Sequence, residues 1–340
     1  MKIIDLESHF YTHGYIKYLR QRKTFPYEVG EDSSIKLYHN KKLFSPRGLK
    51  LEESLLDLGK GRIEFMDKNG IDMQAISLTN PSVQLFSAVD GTAWAGRTND
   101  ELSEVLRKYP GRFIGLAAVA PQAPAKAAYE LERAVTRLGI RGVCLYSHVR
   151  NEYLDNQKYW PVFEAAEKLE VPVYIHPGMP STLMLGAYQD YGYPLAGPIL
   201  GFAADVSLHT MRLIYSGLFD KYPKLQVILG HLGEGLPYWL PRLDFAFLKP
   251  WVGKKPNIER KPSEYLKNNF MVTTSGIFFQ PALMCAFLAL GADRISFAVD
   301  YPYESTEEAL HFLKEAPIAD PDKEKIAHLN AEKLFKLKSL

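Results

Sequence analysis

Short apolar runs recur along the chain and alternate with longer segments whose apolar residues have helical spacing. Runs of this kind, rich in β-branched residues, are typical of parallel strands joined by crossover helices. The eight predicted strands are residues 2–6, 73–78, 113–118, 142–145, 172–175, 226–229, 270–273 and 295–299. The predicted helices include residues 54–69, 100–109, 123–138, 160–169, 208–219 and 280–291. This alternation predicts an α/β fold whose strands close into a (β/α)8 TIM barrel.

Two connections are much longer than the roughly 2–6 residues that usually join a strand to a helix in such a fold. They follow the first and fifth strands, at residues 10–50 and 178–207, and we interpret them as functional insertions. No internal repeat or hinge-like linker divides the chain, so we expect residues 1–340 to form a single domain. An open doubly wound sheet is the alternative, but no Gly-x-Gly-x-x-Gly motif follows the first strand.

Charge and composition exclude several classes of protein. The chain carries 41 basic and 39 acidic residues without a long block of either sign, which does not favour binding to nucleic acid. No stretch approaches the ~18 apolar residues of a membrane helix, and the charged N-terminus does not resemble a signal peptide. Cys144 and Cys285 both lie in apolar runs, which indicates reduced thiols. We therefore expect a cytoplasmic protein without nucleic-acid or membrane partners.

Polar residues at the ends of the apolar runs are the strongest functional signal, because active sites of such barrels lie at the carboxyl ends of the strands. Glu7 and His9 follow the first strand and project to the same side of an extended chain. His176 closes the fifth strand and Asp300 closes the eighth. Any one of these would more often be an ordinary buried polar group, but their coincidence at strand ends predicts a site for one divalent metal ion. Imidazole and carboxylate ligands suit Zn²⁺, Mn²⁺ or Fe²⁺.

His231 is a further candidate, because it follows the sixth strand between Gly230 and Gly233. Glu234 can hold one imidazole nitrogen and so fix its tautomer, which fits a general acid/base or substrate-binding role. The alternative is a structural His–Glu pair at a strand-to-helix turn. We interpret the remaining histidines as solvated or capping residues, apart from His148, which directly follows the fourth strand. These are His13, His39, His209, His311 and His328.

Several motifs resemble those of the amidohydrolase-superfamily decarboxylases. These enzymes include aminocarboxymuconate semialdehyde decarboxylase and the γ-resorcylate, 2,3-dihydroxybenzoate and 5-carboxyvanillate decarboxylases. The similar motifs are Glu7-Ser8-His9, His176-Pro177, Gly230-His231-Leu232-Gly233-Glu234 and Val299-Asp300-Tyr301-Pro302-Tyr303-Glu304. The resemblance covers nearly the whole chain, and residues 273–302 are more similar to the hydroxybenzoate branch than to the semialdehyde branch.

The resemblance implies non-oxidative, metal-dependent decarboxylation of an ortho-hydroxybenzoate with Mn²⁺ or Zn²⁺ as cofactor. Asp300 would then be the proton donor, with a pKa raised by the substrate's charge and a dry pocket, and His231 would hold the phenolic oxygen with Glu234 as its partner. Arg242 would enter a neighbouring subunit's site and bind the substrate carboxylate, which implies a homodimer or homotetramer. The same barrel and ligands also suit hydrolysis of a lactone, ester or amide, in which Asp300 would activate a water molecule.

Two departures from the family pattern concern the choice of substrate. Ile277 stands where many hydroxybenzoate decarboxylases have Asn, and the 10–50 segment is longer and more polar than in compact members. Arg47 and Arg62 are further candidates for binding a carboxylate, although a solvated cation is an equally good interpretation of each. Five aromatic residues near the insertions are candidates to stack on a substrate ring: Phe10, Tyr11, Phe25, Tyr188 and Tyr191.

Overall fold

The computed structural model describes residues 1–31, 34–249, 251 and 256–337. Its centre is an eight-stranded parallel sheet in which each strand pairs with the next barrel strand along the chain. The strands are Ile4–Phe10, Met73–Leu78, Phe113–Ala118, Gly142–Tyr146, Val173–His176, Val227–Leu229, Phe270–Thr273 and Ile295–Ser296. The Leu6 amide donates to the Phe297 carbonyl (3.0 Å), and Ser8 pairs with Tyr301, so the first and last strands meet. The predicted barrel is thus confirmed.

Three of the predicted strands, the second, third and seventh, have the predicted bounds at both ends. The first strand differs most, because it continues to Phe10 and therefore contains Glu7 and His9 rather than ending before them. The added length comes from closure of the barrel: the Asp300 amide donates to the Glu7 carbonyl (2.9 Å), and the Phe10 end pairs with Leu78. The pattern of apolar residues along the chain does not reveal such pairing between distant segments.

Alternating strand residues face two separate apolar clusters, as the pleat of a sheet requires. One set, such as Val143, Leu145 and Val173, packs outward against the helices, and the other fills the barrel interior. The interior set includes Ile4, Leu6, Ala75, Ile114, Leu116, Cys144, Tyr174, Ile228 and Met271. The barrel is therefore packed through its centre, which leaves the ends of the strands for a site.

The longer helices surround the barrel and are His13–Gln21, Leu49–Leu56, Lys60–Asn69, Ala88–Lys108, Pro124–Arg137, Trp160–Lys168, Gly201–Tyr215, Leu236–Leu243, Pro262–Asn269, Gln280–Leu290 and Thr306–Lys314. The predicted 54–69 helix is two helices. The predicted 100–109 helix begins earlier, at Ala88, because the Ser87 hydroxyl accepts from the Asp90 amide and caps it. The predicted 208–219 helix runs from Gly201 to Tyr215 instead, and Gly217 beyond its end has a left-handed backbone (φ +81°).

Both insertions fold into secondary structure of their own. The first contains helix His13–Gln21 and a three-stranded antiparallel sheet of Tyr27–Glu31, Ser34–Tyr38 and Phe44–Arg47. The second is built of short helical segments that lead into helix Gly201–Tyr215. Both supply walls for a cavity at the carboxyl ends of the strands. Across the described ranges, no helix combines the length and the apolar character needed to cross a membrane.

Candidate metal centre and active site

The four predicted metal ligands come together at the carboxyl end of the barrel. One ligand atom from each of Glu7, His9, His176 and Asp300 lies within 4.8 Å of the others. The Nε2 atoms of the two histidines are 3.2 Å apart, His9 Nε2 is 2.8 Å from Asp300 Oδ1, and His176 Nε2 is 3.3 Å from Glu7 Oε1. Two imidazole nitrogens and two carboxylate oxygens therefore point at one small volume.

The hydrogen bonds behind this cluster fit a bound cation. His176 Nδ1 donates to the Pro177 carbonyl (2.7 Å), which orients the ring so that Nε2 faces the cluster. His9 Nδ1 is in turn 3.1 Å from the Ser77 hydroxyl. Glu7 Oε1 is buried and has no hydrogen-bond donor among the described residues, although a buried carboxylate oxygen normally has a partner. A divalent ion would satisfy this oxygen and the two facing imidazoles.

Electrostatics in the cluster keep its acids ionised. Burial acts to raise the pKa of Glu7, but His176, His231 and His9 outweigh this effect and hold the pKa well below its usual range. Burial likewise acts to raise the pKa of Asp300, and the nearby His231 and His9 imidazoles bring it below the ordinary value. Burial lowers the pKa of His9, which favours the neutral, ligating form.

Gly230 allows the Glu7 carboxylate to lie against the sixth strand. A Cβ atom at this position would stand 3.1 Å from Glu7 Oε2 and 3.3 Å from both the Ser275 hydroxyl and the Tyr174 phenol. The Thr273 hydroxyl donates to the same Glu7 oxygen (3.3 Å). The glycine is therefore needed for close approach rather than for backbone freedom.

His231 begins a run of five left-handed residues, 231–235, that carries it into the site. Left-handed φ angles at His231, Leu232 and Glu234 are unusual for residues with a side chain, and such strain is common at functional sites. His231 Nδ1 lies 2.7 Å from Glu234 Oε1, and Nε2 lies 3.8 Å from Asp300 Oδ2. Burial acts to lower the pKa of His231, but Glu234 and Asp300 outweigh it and hold the pKa well above its usual value. The predicted His231–Glu234 pair thus lies beside the four predicted metal ligands.

A cavity of about 380 Å³ opens above the cluster and is lined by His176, His231, Glu234 and Asp300. This volume suits a small organic ligand. A larger cavity of about 620 Å³ lies at the opposite end of the barrel, beside Pro172, Gln226 and Arg294, and holds none of these groups.

Of the candidates for substrate binding, some line the cavity and others are buried elsewhere in the protein. Arg47 and Ile277 line the cavity. Arg47 is 6% exposed, lies 2.9 Å from Glu28 Oε2 and donates to the Asn80 carbonyl (3.0 Å). Arg62 is 1% exposed and lies outside the cavity lining, so it is not placed to bind substrate.

None of the five predicted aromatic residues lines the cavity; its aromatic lining residues are Tyr193, Phe202 and Tyr303. Tyr303 and Thr79 are hydrogen bonded (2.9 Å) beside the ligands. Thr79 follows the second strand, and the strand-end rule that found His176 could have found it. Tyr193 and Phe202 lie in the second insertion, where the sequence carries no comparable signal.

Arg242 and His209 both lie outside the cavity lining. Arg242 is exposed on helix Leu236–Leu243, stacks over Phe245 (4.5 Å) and does not line the cavity of its own chain. His209 is fully buried rather than solvated, and neither ring nitrogen has a hydrogen-bond partner among the described residues. The prediction for His209 was wrong because helix Gly201–Tyr215 packs this face inward, as its buried residues show.

A barrel with two histidines and two carboxylates converging at its carboxyl end has the architecture of a metal-dependent barrel enzyme. The amidohydrolase family model matches residues 24–337, and the chain belongs to this family. It is 39% identical over 296 residues to the γ-resorcylate decarboxylase of Polaromonas sp. (strain JS666 / ATCC BAA-500), covering 84% of this chain and 90% of that protein.

Solved structures show the same relationship. The 5-carboxyvanillate decarboxylase of Sphingomonas paucimobilis superposes with a TM-score of 0.90 at 36% identity, covering 98% of this chain and 99% of that one. A dihydroxybenzoic acid decarboxylase from Polaromonas sp. JS666, with bound manganese and the inhibitor 2-nitroresorcinol, superposes with a TM-score of 0.86 at 36% identity, covering 100% and 98% of the two chains. The predicted membership of the decarboxylase-containing amidohydrolases is confirmed.

Proposed function

We propose that this protein is a metal-dependent decarboxylase that removes the carboxylate of an ortho-hydroxylated aromatic acid. The observation that carries the proposal is the position of Asp300, which has one carboxylate oxygen in the ligand cluster and the other facing His231 inside the cavity. The similar proteins are decarboxylases of hydroxylated aromatic acids, and one of their structures contains manganese. Mn²⁺ is therefore our first choice of metal, with Zn²⁺ as the second.

Glu7, His9, His176 and Asp300 would hold the metal ion. When bound, the ion supplies Lewis-acid character and a template for an ortho-hydroxy carboxylate. Glu7, His9 and His176 are buried beneath the cavity, which strengthens electrostatic interactions with an anionic substrate. Arg47 adds positive charge to the cavity wall, although Glu28 already compensates it in part.

Decarboxylation by this route requires a proton on the ring carbon that bears the carboxylate. Asp300 is ionised in the arrangement described, so it must first acquire this proton. We propose that Asp300 takes the proton of the ortho hydroxyl while His231, positively charged beside Glu234, donates a hydrogen bond to the phenolic oxygen. Asp300 then delivers the proton to the ring carbon, the bond to the carboxylate breaks, and carbon dioxide leaves. Solvent reprotonates the phenolate of the product.

A second copy of this chain is the proposed partner. Helices Gly201–Tyr215 and Leu236–Leu243 both contact the His231 turn and carry exposed apolar side chains. These include Leu208, Tyr215, Tyr238 and Trp239, of which Tyr238 is 76% exposed. Exposed apolar surface of this kind commonly marks a protein interface. Arg242 lies beside it, and we propose that it reaches the partner's cavity and binds the substrate carboxylate.

Elemental analysis combined with a substrate panel tests the reaction. The purified protein should contain about one equivalent of Mn²⁺ or Zn²⁺ and release carbon dioxide from at least one ortho-hydroxybenzoate. A sample treated with a chelator is the matched control and should release none. Bound metal with turnover of lactones or esters, but not of hydroxybenzoates, would contradict decarboxylation and support the hydrolytic alternative.

Subunit mixing tests the role of Arg242. Arg242→Met and Asp300→Asn homo-oligomers should each be nearly inactive, but a mixed dimer would combine an intact Asp300 with the partner's Arg242. After subunit exchange, activity should recover to about a quarter of the parent value, because half of the dimers are mixed and each has one complete site. Mixing without recovery, despite mixed dimers demonstrated by mass spectrometry, would place Arg242 outside the partner's site.

A further inference from the structure

Three buried polar residues lie behind the metal ligands and outside the cavity lining. Asp5 and Gln74 are 0% exposed and Arg62 is 1% exposed. They come from the first strand, the second strand and helix Lys60–Asn69. The proposed reaction uses none of them directly.

Asp5 connects the first strand, which carries Glu7 and His9, to the segment after the eighth strand, which carries Asp300. Its Oδ1 accepts hydrogen bonds from the Glu7 amide (3.1 Å) and the Val299 amide (2.9 Å). Its Oδ2 accepts from the Ser8 hydroxyl (2.6 Å) and from Gln74 Nε2 (3.0 Å). One carboxylate thereby holds the backbone of the ligand Glu7 and of the residue that precedes the ligand Asp300.

Arg62 extends these contacts to His9. Its Nη1 donates to the His9 carbonyl (2.7 Å), and its Nε donates to Gln74 Oε1 (2.9 Å). The guanidinium also lies over the ring of Tyr301, the residue that follows Asp300, at 4.6 Å from the ring centroid. Gln74 therefore joins a buried anion to a buried cation, with one hydrogen bond to each.

Stability alone gives a weak account of this arrangement. Burying a carboxylate and a guanidinium costs free energy that their attraction only partly restores, and apolar residues of similar volume often serve a core equally well. Here the two charges are separated by a neutral amide, and their hydrogen bonds end on the backbone of ligand-bearing segments. Partners that orient metal ligands commonly have such positions.

We propose that Asp5, Gln74 and Arg62 are positioning residues that fix Glu7, His9 and Asp300 in the geometry required by the metal ion. The inference rests on the proposed metal-dependent function. Loss of the bridging amide would let the Asp5 carboxylate, which holds the Glu7 and Val299 amides, shift relative to Arg62, which holds the His9 carbonyl, and the four ligand atoms would no longer meet at one point.

The test compares Gln74→Met with the parent by titrating metal-free protein with Mn²⁺ and measuring free Mn²⁺ by electron paramagnetic resonance. Methionine keeps most of the volume of Gln74 but removes both hydrogen bonds. The affinity for Mn²⁺ should fall about 10- to 100-fold. Asn99→Leu is the matched control, because Asn99 is 0% exposed and its side chain hydrogen bonds with Ala118 and Glu130 rather than with a ligand-bearing segment. It should lose stability without losing Mn²⁺ affinity.

Arg62→Lys is a second variant in case Gln74→Met does not fold, since lysine keeps the charge but cannot make both hydrogen bonds. Its Mn²⁺ affinity should lie between those of the parent and Gln74→Met, or several-fold below the parent if Gln74→Met is lost. A folded variant that binds Mn²⁺ within twofold of the parent would overturn the positioning role and leave the proposed function intact. A parent protein that binds no metal would overturn both.

Discussion

Asp300 Oδ2 lies 3.8 Å from His231 Nε2, while the other oxygen of the same carboxylate lies 2.8 Å from His9 Nε2. One side chain thus faces both the ligand cluster and the group expected to bind the phenolic oxygen. Its backbone has a left-handed φ of +74°, and its amide donates to the Glu7 carbonyl, which holds it in this position. The two roles proposed for Asp300 therefore need no rearrangement of the side chain.

Asp300→Asn separates these two roles. The amide oxygen can still face the metal, but the side chain can no longer carry a proton to the ring carbon. We expect turnover to fall by at least about 10²-fold, the lower range for loss of a general acid, in preparations whose metal content is close to that of the parent. Carbon dioxide release and elemental analysis on the same samples provide the measurement. Activity near the parent level would show that another group supplies the proton.

Gly230→Ala tests the close approach of the sixth strand to Glu7. The new Cβ would lie 3.1 Å from Glu7 Oε2 and displace that carboxylate by a few tenths of an ångström. We expect Mn²⁺ affinity to fall by roughly tenfold or more, because ligand geometry controls affinity. Gly186→Ala is the control, since a Cβ there meets nothing within 4 Å and φ is −55°. Equal affinities in the two variants would contradict the argument.

The sequence predicted the strands and the convergence of Glu7, His9, His176 and Asp300 well, because both follow from apolar runs and the polar residues near their ends. A buried strand is a short apolar run; His176 closes such a run, and Asp300 follows the apolar residues 297–299 beyond the eighth strand. The cavity walls were predicted less well. Arg47 reaches the cavity only because strand Phe44–Arg47 joins a small antiparallel sheet within the first insertion, and Phe202 does so through the second insertion. Such packing depends on contacts between distant segments, which periodicity does not encode.

Removing the metal should destabilise the folded protein. Glu7 and Asp300 are acids in one largely buried cluster. Glu7 acts to raise the pKa of Asp300, and nearby histidines act to lower the pKa of both acids. A ligand that binds only the folded state at 100 times its Kd contributes about 2.7 kcal/mol. Thermal unfolding should therefore shift upward when Mn²⁺ is added to chelator-treated protein. Glu7→Gln should show a much smaller shift, and an equal shift in that variant would place the Mn²⁺ effect elsewhere.

His209 should make the protein less stable in mild acid. It is fully buried against Tyr153, with ring centroids 5.7 Å apart, and neither nitrogen has a hydrogen-bond partner among the described residues. Burial, reinforced by His148 and Arg212, lowers the pKa of His209 to about 3. The unfolded chain takes up this proton near pH 6.5, so the unfolded state binds more protons between these two values. Stability is therefore fully present above about pH 6.5 and is lost as the pH falls toward 3.

The contribution of His209 can be isolated with His209→Phe, which keeps an aromatic ring but cannot titrate. From the two pKa values, the parent should lose about 2 kcal/mol through His209 between pH 7.5 and pH 5. The unfolding free energies of parent and variant are measured by urea titration at both pH values. Relative to the variant, the parent should be less stable at pH 5 than at pH 7.5 by this amount. His39, whose pKa burial also lowers to about 3, is present in both proteins and cancels. Parallel pH profiles would show that His209 takes up its proton equally well in the folded state, which requires an acceptor or water beside the ring.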